Sequence, residues 1–302
     1  MRTKFFLTAI IAAFVMTSAA AQTTLQLNLQ KGETYYQSSK ANPVITISIQ
    51  GMSIAISTLT DSKLAYKVVN VEGDNYEMEV KYERIKNSTT TPQVSLSYSS
   101  EDPKDAISSA FAEITKHSFN VKMNKYGEIL EVRNYDKLID TAISQNSNLF
   151  DTEKQQIMQT FSEDLFKQSM GSLFAIYPKT AVTKGGNWET ASATTAGGVS
   201  INATAKYTLI ESNNNYNKVS GTYTLKNAPD AEPIYDPSMG GSVKYKLSGT
   251  GDAEIILDAT SGWITEATMN QYINGELEVM DDMAGGMNIP MNINITNNLS
   301  NK

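Results

Sequence analysis

Three sequence patterns occur twice in this chain, in the same order, with a helical region between the two sets. The paired segments are 31–35 with 184–188, 66–82 with 207–223, and 121–129 with 255–264. Each pair shares a Lys-Gly start, an Asn-Tyr step or a turn glycine, respectively. We therefore expect two related β-units, arranged as two sheets about a pseudo-twofold axis. Duplication predicts architecture and says nothing about chemistry.

Alternation of apolar and polar residues dominates both copies. Leu25, Leu27 and Leu29 alternate with polar residues, and the segments 45–49 and 289–295 continue the pattern. A period of two is typical of a half-buried antiparallel strand. The repeated patterns predict antiparallel hairpins in equivalent places, at 63–86 and 204–226 and again at 118–133 and 252–268.

Helical spacing replaces alternation in the middle of the chain. Ile107, Ala110, Phe111 and Ile114 predict a helix near 103–116, with Asp102-Pro103 as its start. The main helical insert follows at 135–176. Within it, we expect one long helix over 152–170.

The chain is therefore predicted to be α+β and mostly β. We expect two duplicated antiparallel β-units that form one or more curved sheets, with a helical insert that covers one face. The predicted divisions are a signal peptide at 1–21, a first β-unit at 22–134, the helical insert at 135–176, and a second β-unit at 177–302.

Residues 1–21 have the pattern of a secretory signal peptide. Arg2 and Lys4 precede an apolar run at 5–15, and Ala19-Ala20-Ala21 supplies the small residues that signal peptidase needs. We expect cleavage between Ala21 and Gln22 and a periplasmic or secreted protein. The remaining chain has no other long apolar run, so no transmembrane segment is expected after cleavage.

The net charge bears on which partners the chain can bind, and the cysteine content bears on how the fold is stabilised. The formal net charge of −7 disfavours binding to nucleic acid or to an anionic lipid surface. The chain has no cysteine, although export usually permits disulfides. About 280 residues can bury a sufficient core without them.

No motif in the sequence predicts a catalytic residue, a metal site or a cofactor. His117 is the only histidine, and no G-x-S-x-G segment is present. Grouped carboxylates could serve glycoside hydrolysis or bind calcium, and could equally be solvated charge. These groups are Asp281-Asp282, then Asp252, Glu254 and Asp258, then Asp230, Glu232 and Asp236.

Methionines cluster near the end of the chain, at Met280, Met283, Met287 and Met291. Thioethers bind Cu(I), and methionine is also an adaptable apolar residue suited to a lid over an apolar site. Ordinary strand packing explains them as well, since Met291 fits the alternation of the last strand.

Three features of the sequence are distinctive: the segment from Leu25 to Tyr35, the Gly127 turn, and Pro178 followed by Gly185-Gly186-Asn187-Trp188. In these features the chain resembles a family of exported bacterial proteins that is catalogued as a domain of unknown function. The resemblance spans most of the mature chain and implies no catalytic residue or ligand. In architecture, the chain is also similar to curved-sheet periplasmic carriers of lipids or lipoproteins.

We therefore expect an exported, non-enzymatic binding protein of the bacterial cell envelope. It would hold an apolar small molecule between sheet and helices, or bind an envelope protein. The alternatives are a structural envelope protein without a small ligand and a carboxylate-based hydrolase. The residues expected to line the ligand space are Phe111, Ile114, Phe161, Leu165, Phe166, Met283 and Met287.

Overall fold

The computed structural model describes residues 22–49, 51–196, 199–228, 232–236, 241–280 and 287–302. The strands are β1 (Gln22–Thr23), β2 (Thr34–Ile49), β3 (Met52–Glu72), β4 (Asn75–Thr90), β5 (Ser95–Ser99), β6 (Ser118–Asn124), β7 (Ile129–Arg133), β8 (Val182–Thr183), β9 (Asn187–Ala196), β10 (Val199–Ser212), β11 (Tyr216–Asn227), β12 (Ile234–Asp236), β13 (Gly241–Asp258), β14 (Ile264–Met280) and β15 (Met287–Ser300). The helices are α1 (Ala106–Ile114), α2 (Tyr135–Ser144), α3 (Asp151–Thr160) and α4 (Glu163–Phe174).

Most of the described strands belong to one large antiparallel sheet. Its strand order is β7-β6-β4-β3-β2-β15-β14-β13-β11-β10-β9, with β5 added beside β4 and β12 beside β13. Strands β1 and β8 form a separate two-stranded ribbon. The fold is thus mostly β with a helical cover, as the alternating sequence predicts.

The duplication is visible in the pairing of the strands. Tyr35 lies opposite Tyr66 in the first copy, and Trp188 lies opposite Tyr207 in the second. The four expected hairpins are β3–β4, β10–β11, β6–β7 and β13–β14, and all four are present. The hairpin prediction is confirmed, while the boundaries of the two units stay predictions.

The expectation of two separate sheets is wrong. Strand β15 pairs with β14 on one side and with β2 on the other, so it joins the two copies edge to edge. Each copy alone leaves a long strand edge with unpaired backbone groups, and a shared central strand satisfies both edges.

Equivalent turns close the hairpins β6–β7 and β13–β14. In the first, the side-chain oxygen of Asn124 accepts hydrogen bonds from the backbone N–H of Tyr126 and of Glu128. In the second, Asp258 accepts from the N–H of Thr260 and of Ser261. Burial raises the pKa of Asp258, but these hydrogen bonds outweigh it, so the pKa lies below its usual value.

The segment 25–30 passes between these two turns and binds both. The N–H of Leu27 donates to the carbonyl oxygen of Lys125, and the N–H of Asn28 donates to that of Ser261, each at 2.8 Å. Leu27 is fully buried. One short extended segment therefore ties the two copies together.

The expected helix over 152–170 is two helices. Phe161 leaves the helical conformation, with φ −117° and ψ 63°, and Ser162 starts α4 by accepting a hydrogen bond from the N–H of Leu165. A serine that caps a new helix competes with the continuation of the old one. The earlier helix α1 lies inside its expected range, with Asp105 rather than Asp102 as its cap.

The large sheet is strongly curved around α4. This 12-residue helix contacts both β7 and β9, which are the two ends of the strand path. Such a helix is about 18 Å long, whereas eleven flat strands would separate the two edges by roughly 48 Å. None of the described helices is both long enough and apolar enough to cross a membrane.

Apolar side chains form two clusters inside the curve. The larger cluster contains residues of all four helices, of the segment 25–30 and of strands from both copies. The smaller cluster consists of strand residues alone, among them Leu225, Leu247, Ile273 and Leu277. Among the described residues, therefore, no helix residue belongs to this second cluster.

Candidate functional site

Helix α4 is held against the sheet face that we call the inner face. The hydroxyl of Tyr66 on β3 lies 2.9 Å from the sulfur of Met170. The ring of Phe174 packs on that of Trp263 with a centroid distance of 5.1 Å. Both contacts fix α4, yet the space beside it is not filled.

The first-repeat cavity lies on one side of α4 and has a volume of about 330 Å³. Strands β2, β3, β4 and β15 form its sheet wall, and the helices form the other wall. The helix wall is mostly apolar and includes Phe161, Leu165 and Phe166. The sheet wall is mostly polar but uncharged, with residues such as Gln37, Ser39, Thr60, Ser62, Asn87 and Asn297.

The second-repeat cavity lies on the other side of α4 and has a volume of about 310 Å³. Strands β9, β10, β11, β14 and β15 form its sheet wall. Leu225 and Ile273 line this cavity and also belong to the strand-only apolar cluster. The cavity is therefore continuous with that cluster.

The two cavities meet beneath α4. Ser169 and Leu173 on the helix and Asn297 on β15 line both of them. Ser169 is exposed to this space even though its helix is packed on the sheet.

The walls of both cavities are electrically neutral. Among the described residues that line them, none has a charged side chain. Tyr82 and Tyr135 share a hydrogen bond of 3.1 Å between their hydroxyls in the first-repeat cavity. Burial raises the pKa of Tyr82 to about 12, so its hydroxyl stays uncharged at neutral pH.

Gln37 combines complete burial in the wall of the first-repeat cavity with a hydrogen-bond acceptor that has no partner. Its side chain is fully buried, and its Oε1 has no hydrogen-bond partner among the described residues. Its Nε2 faces the carbonyl oxygens of Ser38 and Ser300, each at 3.5 Å. Two carbonyls on that side fix the orientation of the amide, because only the N–H₂ end can donate to them.

Three of the residues expected to line a ligand space are found in a cavity wall. Phe161, Leu165 and Phe166 all border the first-repeat cavity. Phe111 and Ile114 lie instead in the filled core, where the Phe111 ring packs on that of Phe161 at 5.3 Å. Helix α1 packs on α2 and β5, which explains why its apolar face lines neither of the two cavities.

Of the two methionines expected at the ligand space, the described one, Met287, lines neither cavity. Met287 stands at the start of β15 and is 41% exposed, and Met283 lies outside the described residues. Met280 pairs with Ser242 on β13, and Met291 is buried on the inner face. Met280 and Met291 lie on opposite faces of the sheet, because alternate residues of a strand point to opposite faces. The two sulfur atoms therefore cannot bind the same ion.

Three of the carboxylates singled out in the sequence have structural partners. Asp252 accepts a hydrogen bond from Asn270, Glu254 forms an ion pair with Lys218 at 3.3 Å, and Asp258 holds its turn. Asp230, Asp281 and Asp282 lie outside the described residues, as does the side chain of Asp236, and Glu232 is exposed. Among the described residues, no group of three or more His, Cys, Asp or Glu could hold a metal ion.

His117 is a half-exposed residue at the end of α1. Its Nε2 lies 3.0 Å from Glu113, one turn earlier in the chain. Hydrogen bonds from Lys116 and His117 lower the pKa of Glu113. This local pair is far in the chain from the cavity-lining residues of α4. It stabilises the end of helix α1.

Sequence reasoning missed Gln37, Ser169 and Leu173. A signal for Gln37 exists, since it occupies an inward position between Tyr35 and Ser39 in the alternation of β2. A polar residue at an inward position often has a specific partner. Ser169 and Leu173 give no such signal, because only the curvature of the sheet brings them between the two cavities.

Two solved structures are similar to this chain at low sequence identity. The chain matches lipovitellin, from a study of its lipid–protein interactions, with 11% identity and a TM-score of 0.46. That match covers 91% of this chain and 25% of the lipovitellin chain, so this chain spans about a quarter of that protein. An outer membrane channel from Pseudomonas putida F1 matches with 8% identity and a TM-score of 0.22, over 91% of this chain and 97% of the channel.

Comparison of the sequence with families gives a firmer result. No curated protein matches the chain. One family model matches residues 73–264, which is more than half of the chain and includes parts of both copies and the helices between them. The chain belongs to DUF6263, a family of unknown function.

Proposed function

We propose that this chain is a non-enzymatic binding protein of the bacterial cell envelope that holds an apolar ligand between its sheet and its helices. The observation that carries the proposal is the pair of uncharged cavities that meet beneath α4. Drug-sized ligand sites are concave, mostly apolar and of about 300–1,000 Å³. Each cavity alone reaches the lower end of that range.

The strand-only apolar cluster supports the same proposal. Its residues continue the wall of the second-repeat cavity along β10, β11, β13, β14 and β15. An apolar chain that entered beside α4 would find apolar surface along this path on partly buried residues such as Ile201, Ile293 and Ile295. Burial of that surface gains about 25 cal/mol per Å².

The proposal includes export to the envelope. Its support is the signal-peptide pattern of residues 1–21, with small residues before Gln22. Amino-terminal sequencing of the protein from the periplasm or the medium checks this part, and the expected first residue is Gln22. A chain that still begins at Met1 in the cytoplasm contradicts it.

Replacement of Ser169 by tryptophan is expected to weaken the binding of an apolar dye. The indole would occupy the space where the two cavities meet, and Ser169 is exposed there, so the fold should tolerate the change. Titration with Nile red, followed by its fluorescence, is expected to give a Kd at least roughly tenfold higher than that of the wild type, or about 1.4 kcal/mol.

The matched control is Gln155→Trp. Gln155 is exposed on α3 and lies in neither cavity wall, so this variant adds the same indole at an uninvolved place. The control should bind Nile red like the wild type. Equal affinities for all three proteins, or no binding by the wild type, would contradict the proposed ligand space.

A further inference from the structure

We infer that the ligand is a neutral amphiphile whose polar end carries a hydroxyl or another uncharged donor, and that this donor binds Oε1 of Gln37. The inference rests on the proposed function, because it names the class of molecule that the space beside α4 takes. Its first support is the neutrality of both cavity walls. Among the described residues that line this space, no charged side chain could compensate a carboxylate or a phosphate. A buried charge without a partner costs several kcal/mol at least, so a charged ligand is disfavoured.

The second support is the mixed character of the first-repeat cavity. Its helix wall is mostly apolar, with Phe161, Leu165 and Phe166, whereas its sheet wall is largely polar. A pure hydrocarbon would leave the buried Oε1 of Gln37 on that polar wall without a partner. A molecule with an apolar chain and a small polar end satisfies both walls.

The third support is the particular position of Gln37. The neighbouring polar side chains pair with one another: Ser39 donates to Asn297 at 3.1 Å, and Asn87 donates to Thr60 at 3.3 Å. The Oε1 of Gln37 has no such partner among the described residues and is fully buried. A buried acceptor without a partner costs about 1–3 kcal/mol, and a ligand donor would remove that cost.

The chemistry of the free atom determines the class of donor. An amide oxygen accepts hydrogen bonds and cannot donate them. A hydroxyl or an amide N–H therefore fits it, whereas an ionised carboxylate or a phosphate diester, which only accept, does not. This selects molecules such as long-chain alcohols and monoacylglycerols over fatty-acid anions.

A set of three competitors with similar alkyl chains tests the inference. They are 1-dodecanol, which donates, dodecyl methyl ether, which has the oxygen without the donor, and dodecanoate, which is charged at pH 8. Each is used to displace Nile red from the purified protein after extraction of apolar molecules on a hydrophobic resin. The wild type is expected to bind dodecanol at least roughly threefold more tightly than the ether, the fold-change of one neutral hydrogen bond, and dodecanoate most weakly.

The variant Gln37→Met keeps the length of the side chain and removes the amide oxygen. It is expected to lose roughly three- to tenfold in affinity for dodecanol while its affinity for the ether is unchanged. The matched control is Gln168→Met, because Oε1 of Gln168 is also buried without a partner among the described residues but lies in neither cavity wall. The control should retain the preference for dodecanol.

The outcomes separate this inference from the proposed function. Tight binding of dodecanoate, or an unchanged preference for dodecanol in Gln37→Met, overturns the inference, since a water molecule alone would then satisfy Gln37. Both results leave apolar binding in place. If no competitor displaces the dye, or the dye does not bind the wild type, the proposed function fails and the inference fails with it.

Discussion

Replacement of Gly262 by alanine is expected to destabilise the protein by about 3 kcal/mol or more. Gly262 has φ +70°, a conformation that costs an L-residue roughly 1–2 kcal/mol. A Cβ at this position would also lie 1.9 Å from the carbonyl oxygen of Gln26, a backbone atom of the segment that ties the two copies together. Overpacking of this kind typically adds about 1–3 kcal/mol.

Equilibrium unfolding in urea measures this loss, and Gly73→Ala is its matched control. Gly73 also has a positive φ, of +58°, but a Cβ there would meet nothing within 4 Å. Only the conformational cost remains, so the control is expected to lose about 1 kcal/mol. Equal losses of unfolding free energy in the two variants would show that a Cβ at position 262 does not clash with the segment 25–30.

Phe119→Ala is expected to cost about 3–5 kcal/mol, as large-to-small changes in filled cores do. The Phe119 ring is 1% exposed and packs on those of Tyr135 and Phe166, each at a centroid distance of 4.9 Å. Phe161→Ala is expected to cost clearly less than Phe119→Ala, because one side of the Phe161 ring already borders the first-repeat cavity.

The order of the two variants is expected to reverse in dye binding, where Phe161→Ala has the larger effect. Phe161→Ala removes apolar surface from the cavity wall and is expected to weaken Nile red binding. Phe119 lies in neither cavity wall, so the folded Phe119→Ala protein should bind the dye normally. A full core-sized loss of stability in Phe161→Ala, with unchanged dye binding, would favour a structural envelope protein without a small ligand.

Local patterns predicted the hairpins because each hairpin is determined over short distances. Alternation, an Asx residue and a glycine at positive φ are enough to place the turns at Asn124–Gly127 and Asp258–Gly262. The joining of the two copies depends on which strands β15 pairs with, and those partners are distant in the chain. No local pattern encodes that choice.

The candidate site was predictable only in part for the same reason. Helical spacing identified the apolar face of Phe161, Leu165 and Phe166, but periodicity cannot distinguish a face that fills a core from one that borders a cavity. The break at Ser162 was missed because the pattern of apolar residues continues through it. The cavities themselves exist because the whole sheet curves around α4.

Analysis of what the protein carries from its native cell tests the central claim most directly. The protein is purified without detergent, extracted with organic solvent, and the extract is analysed by mass spectrometry beside an equal amount of Ser169→Trp. We expect a neutral amphiphile at close to one molecule per wild-type chain and a strong loss of it from the variant. An extract without any enriched apolar molecule, or with the same molecule in equal amount from both proteins, would contradict a ligand space beneath α4.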